Sequence, residues 1–99
     1  MINHVVLIKV KHEKASQRKE ILEKTKKQLE NLSNYISQLR YIEVGIQHKA
    51  DENCHDLCLI SHFDNLLDLE AYAVHPEHLK VVAYIRDNFE GRTVVDFEF

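Results

Sequence analysis

The stretch Tyr72-Ala73-Val74-His75-Pro76-Glu77-His78 decides the architecture, because it breaks a helical region in two. Proline is tolerated at the first position of a helix, where its missing N–H is not needed. Pro76 therefore predicts a new helix start, with His75 in extended geometry before it. His78 then falls in the first helical turn, near the positive end of the dipole, where its imidazole is expected to be neutral.

Upstream, Asp64 is the expected N-cap of a short helix through Leu66, Leu67, Leu69, Tyr72 and Ala73. Downstream, a second helix carries Leu79, Val82, Ala83, Ile85 and Phe89, with Gly91 placed to stop it. Alternation marks a strand on either side of this pair. Residues 56–63 set Leu57, Leu59 and Phe63 against Cys58, Ile60 and His62, and residues 93–99 close the chain. Further out, residues 38–48 alternate Ile42, Val44 and Ile46 with polar neighbours. Gly45 there suggests a bulge or close backbone approach. Residues 49–53 read as a loop. From Ser16 to Ile36 the spacing is helical, with Ile21 beside a stripe of Leu22, Thr25, Leu29, Leu32 and Ile36. Residues 2–11 form a β-branched strand with His4 on the face of Ile2, Val6, Ile8 and Val10.

The order is β-α-β-β-α-β over a single domain, residues 1–99. It predicts an α+β, ferredoxin-like protomer with an antiparallel four-stranded sheet and helices on one face. Val95, Phe97 and Phe99, taken with Leu57 and Leu59, suggest an apolar second face that one helix layer cannot cover. Pairing two such faces around a two-fold axis predicts a homodimer.

Composition narrows the function. A chain of 99 residues buries only about 60–65% of its unfolded surface, so burial by self-association is useful. A net charge of −3 argues against nucleic acid as a partner, which demands a concentrated basic face. The lysines and arginine of residues 14–27 alternate with glutamates, as on a solvated helix. The amino terminus lacks a basic leader and cleavage site, and no apolar run reaches membrane-spanning length. Cys54 and Cys58 read as free thiols in a reducing compartment, which makes the cytoplasm the expected location. His75-x-x-His78 has a spacing that can bind zinc. Pro76 puts the two histidines in different backbone conformations, and no clear fourth ligand accompanies them, so no metal is predicted.

The strand His4-Val5-Val6-Leu7-Ile8-Lys9, Val44-Gly45, Phe63, Tyr72-x-x-His75-Pro76-x-His78 and Val95-Asp96-Phe97 together resemble the Dabb family of stress-responsive dimeric α/β-barrel domains. The resemblance covers the whole chain and implies a dimer whose sheets form a barrel. It does not imply one activity. Similarity to the olivetolic acid cyclase-like members implies catalytic roles for Tyr72 and His78 and a pocket position for His4. His75 is counted with His4 as a substrate-binding position, while its extended geometry before Pro76 suits it to the structural role of hydrogen-bonding the loop. Leu57 stands where those cyclases carry a pocket histidine.

On this reading His78 is a general base that removes a proton α to a carbonyl. Tyr72 donates a hydrogen bond to the enolate oxygen, and His4 orients a polar group of the substrate. The reaction is a cofactor-independent cyclisation or isomerisation of a small apolar or polyketide-like molecule. The alternative is a non-catalytic dimer that binds a small ligand or has a structural role in stress.

Overall fold

The computed structural model describes residues 1–99. Four strands, β1 (Ile2–Val10), β2 (Tyr41–Ile46), β3 (Leu57–Phe63) and β4 (Phe89–Glu98), form one antiparallel sheet in the order β2-β3-β1-β4. Three helices, α1 (Arg18–Asn31), α2 (Leu66–Ala73) and α3 (Pro76–Asn88), pack on one face. This is the expected ferredoxin-like α+β arrangement. No helix is long and apolar enough to cross a membrane.

The expected helix over Ser16–Ile36 divides into a 3₁₀ segment (His12–Gln17), α1 and a closing 3₁₀ turn (Leu32–Asn34). Its predicted stripe faces inward throughout, with Ile21, Leu22, Thr25, Leu29, Leu32 and Ile36 all buried. Thr25 satisfies its hydroxyl by donating to the Ile21 carbonyl at 2.7 Å. Beneath the stripe lie Ile2, Val6, Ile8 and Val10 of β1 and Leu57, Leu59 and Phe63 of β3, completing the core.

Cross-strand register corrects the expected composition of the open face. Leu57 pairs with Ile8 and Leu59 with Val6. Directly opposed residues share a face, so both leucines belong to the helix side. The uncovered side instead carries Val5, Leu7 and Ile60 together with Val95, Phe97 and Phe99, the last three exposed. Tyr41, His62 and Phe99 continue it as a run of rings with centroids 4.7 and 4.6 Å apart.

Three local expectations also change. Asn65, not Asp64, caps α2, its side chain accepting from the Asp68 N–H at 2.9 Å. Asp64 is held by Arg40 at 2.9 Å. Gly45 forms no bulge: β2 and β3 pair without a break, and a Cβ there would meet nothing within 4 Å. Gly91 does not stop α3, which ends at Asn88 and passes directly into β4 with Phe89 already buried in the sheet. Gly91 lies in a β-bulge, at φ 63°, where Gly91 and Arg92 together oppose Ile8. An L-residue adopts that conformation only with strain, and the bulge re-aims its neighbours.

Candidate functional site

The break between α2 and α3 builds the site. His75 is extended (φ −63°, ψ 135°), and its Nδ1 accepts from the Glu77 N–H at 3.1 Å, so it is the N-cap of α3 with Pro76 at the first helical position. This commits the His75 ring to holding the helix start. One turn on, His78 Nδ1 lies 3.0 Å from the Ala73 carbonyl, at the end of α2. A carbonyl only accepts, so Nδ1 carries the hydrogen and Nε2 keeps the lone pair. Burial pushes the His78 pKa below its ordinary value. The bond to Ala73 opposes this, while His4, Arg92 and His75 reinforce it. The result is a neutral imidazole in a defined tautomer with its basic nitrogen free.

His78 lines a pocket of about 470 Å³ between α3 and the sheet. Its floor includes His4, Val6, Leu57 and Leu59, and α3 supplies Leu79, Val82 and Ile85. The volume and largely apolar lining, with few polar groups, suit a small organic molecule. His4 is 8% exposed, and its Nδ1 is hydrogen-bonded to Asp96 Oδ1. The carboxylate accepts, which fixes the ring and turns Nε2 away from the pair.

Tyr72 takes a different position. It is 1% exposed, with its ring centroid 4.3 Å from His78, 4.9 Å from Phe63 and 6.3 Å from His4. It stands behind His78, outside the pocket surface, and its buried hydroxyl has no hydrogen-bond partner. Burial raises its pKa, which keeps the hydroxyl a donor. The fold thus brings Tyr72, His78 and His4 together, while His75 lies outside the lining and acts on the helix start. No cluster of three His, Cys, Asp or Glu side chains is placed to hold a metal ion.

Sequence reasoning missed Asp96, Arg86 and Arg92. Asp96 pairs with His4 only through the β1–β4 register, across 92 residues. Arg86 and Arg92 stand at the exposed rim of the pocket, and only the bulge at Gly91 explains why Arg92 joins it. Asp96 lies in the Val95-Asp96-Phe97 stretch of the resemblance, but no local sequence signal gives it or either arginine a place in the site.

Residues 2–99 match the family model described as the Stress Responsive A/B Barrel Domain, Dabb. A dimeric protein of unknown function and ferredoxin-like fold from Bacteroides fragilis is 34% identical, with a TM-score of 0.90 over 99% of this chain and 95% of that one. A dimeric ferredoxin-like protein of unknown function from Thermobifida fusca is 21% identical, with a TM-score of 0.81, covering 99% of this chain and 90% of that one. A hydroxynitrile lyase from Passiflora edulis shares the fold at 14% identity and a TM-score of 0.76, over 97% and 90% of the two chains. No curated protein matches the chain in sequence.

Proposed function

The chain belongs to the stress-responsive A/B barrel (Dabb) family, and from that premise we propose a homodimer with an acid–base pocket in each protomer. Two copies meet through the open sheet face, which removes Val95, Phe97 and Phe99 from water. The dimeric description of similar structures supports this pairing. The two free cysteines fit a reducing, cytoplasmic setting.

The reaction is a cofactor-independent cyclisation or isomerisation of a polyketide-like carbonyl compound. The observation that carries this reading is the His78 tautomer. With Nδ1–H held by the Ala73 carbonyl, Nε2 takes a proton α to a carbonyl. The Tyr72 hydroxyl, buried and unpartnered in the free protein, donates to the enolate oxygen once the His78 ring shifts aside to uncover it. In a cyclisation the enolate carbon attacks a second carbonyl of the same molecule. The imidazolium of His78 then returns its proton to the new alkoxide, so the base is restored. His4, held by Asp96, orients a polar group of the substrate. His75 serves the substrate indirectly, by fixing the turn that presents His78.

The test is a pH–rate profile of wild type and His78→Ala on a panel of β-polyketones. The expected loss is about 10²–10⁴-fold, with the acid limb of the wild type below 6.5, the ordinary histidine value. Unchanged turnover removes His78 from the mechanism. One observation favours a second reading, a non-catalytic binder: Tyr72 does not reach the pocket surface. That reading predicts saturable binding of panel members with no turnover by wild type.

A further inference from the structure

The pocket has two ends of different chemistry. Its interior is apolar around His4 and His78, whereas its rim carries Arg86, Arg92 and Glu90. Arg86 comes from the last turn of α3, where the helix dipole favours a cation. Arg92 comes from the bulge of β4, opposite Ile8 on the pocket side of the sheet. Neither guanidinium makes an ion pair or a side-chain hydrogen bond: the salt bridges of this protein are Arg18–Asp56, Lys26–Glu30, Arg40–Asp64, Lys80–Glu77 and His4–Asp96. Glu90 borders the rim too, but the register pairs it with Lys9 on the open face of β1, and it makes no ion pair with either arginine. The other two arginines outside the site, Arg18 and Arg40, are each committed to an acidic partner.

From this we propose that the pocket takes an amphipathic acid, with its apolar body inside and its anionic group at the Arg86–Arg92 rim. A guanidinium presents a planar fork that matches a carboxylate or phosphate oxygen pair, and two unpartnered forks beside an apolar cavity define an anionic head joined to an apolar tail. The anion at the rim leaves the body of the molecule against His4 and His78. In the proposed chemistry this selects a keto acid whose carbonyl lies deep and whose acid group stays at the mouth. The inference rests on the pocket reading above and adds the substrate class.

Its test is equilibrium binding of octanoate, octyl phosphate and 1-octanol by calorimetry on the intact protein. The three probes each carry eight carbons in an unbranched chain and differ in the head. Octanoate binds wild type about tenfold more tightly than 1-octanol, as expected of charge-assisted hydrogen bonds to the rim. Arg86→Gln and Arg92→Gln each remove most of that preference and leave 1-octanol binding unchanged. Added salt weakens octanoate and not the alcohol. Octyl phosphate above octanoate assigns the rim to phosphate, and the reverse order assigns it to carboxylate; either order keeps the anion. Equal affinity for octanoate and 1-octanol overturns the inference and leaves the catalytic reading standing, as does a preference that survives both arginine substitutions. Failure of all three probes to bind overturns the pocket itself. His78→Gln keeps the octanoate preference, which separates the rim from the chemistry.

Discussion

Replacing Tyr72 by Phe removes one atom from the most enclosed position in the site, and the structure predicts two opposite effects. In the free protein the Tyr72 hydroxyl is buried and makes no hydrogen bond. Leaving such a group unsatisfied costs about 1–3 kcal/mol. Phenylalanine keeps the ring contacts with His78 and Phe63, at 4.3 and 4.9 Å between centroids, and drops the unsatisfied oxygen. The ligand-free variant is therefore more stable by about 1 kcal/mol or more, which at this chain length raises Tm by about 4–8 °C per kcal/mol. Thermal unfolding followed by circular dichroism reads this directly, at fixed protomer concentration because dimers unfold in a concentration-dependent way. Turnover moves the other way, falling about 10²-fold if the hydroxyl is the donor to the enolate. A ligand that accepts from this hydroxyl also raises the Tm of wild type more than that of the variant. A lower Tm for ligand-free Tyr72→Phe refutes the reasoning, since it means the hydroxyl already has a partner.

Three further perturbations separate the parts of the site. His75→Ala deletes the N-cap of α3 and lowers stability by about 1 kcal/mol in urea unfolding, with His75→Asn recovering most of it. Phe97→Glu places a charge on the open sheet face and converts the dimer to a monomer by light scattering at micromolar concentration, while the far-ultraviolet spectrum is kept. His78 has a folded pKa below its ordinary 6.5. Above pH 6.5 it is neutral in both states and adds no pH dependence. As the pH falls below 6.5 the unfolded chain takes the proton first, so stability declines until the folded pKa is passed. Denaturant midpoints across pH 4–8 show this decline in wild type, and His78→Gln removes its share of the slope.

Helical spacing and strand alternation made most of the fold readable, because each is a periodicity carried by neighbours in the chain. The stripe Leu22-Thr25-Leu29-Leu32-Ile36 and the inward face of β1 are such signals, and Pro76 marked the helix break for reasons local to its ring. The errors arose wherever the deciding fact was a pairing between distant segments. Leu57 and Leu59 belong to the helix side by register with β1, which their own strand does not reveal. Gly91 reads as a helix stop from local rules, yet the sheet uses its φ of 63° for a bulge. The same limit hid Asp96, whose meaning depends on His4 at the other end of the chain. Asn65 displaced Asp64 as a cap because Arg40, distant in sequence, engages the aspartate.

The direct passage from α3 into β4 bears on how this pocket diversifies. Arg86 and Arg92, which set the charge at its mouth, lie within seven consecutive residues at that junction, whereas His4 and His78 come from elsewhere in the chain. The two histidines of the proposed chemistry are held by β1, Asp96 and the end of α2, so their placement does not depend on what the junction displays. One short segment can thus exchange its exposed residues, and with them the preferred head group, without moving the histidines, although losing Arg92 relaxes part of the downward pressure on the His78 pKa. Head-group preference and the placement of the proposed reacting groups become separately evolvable traits within one small domain.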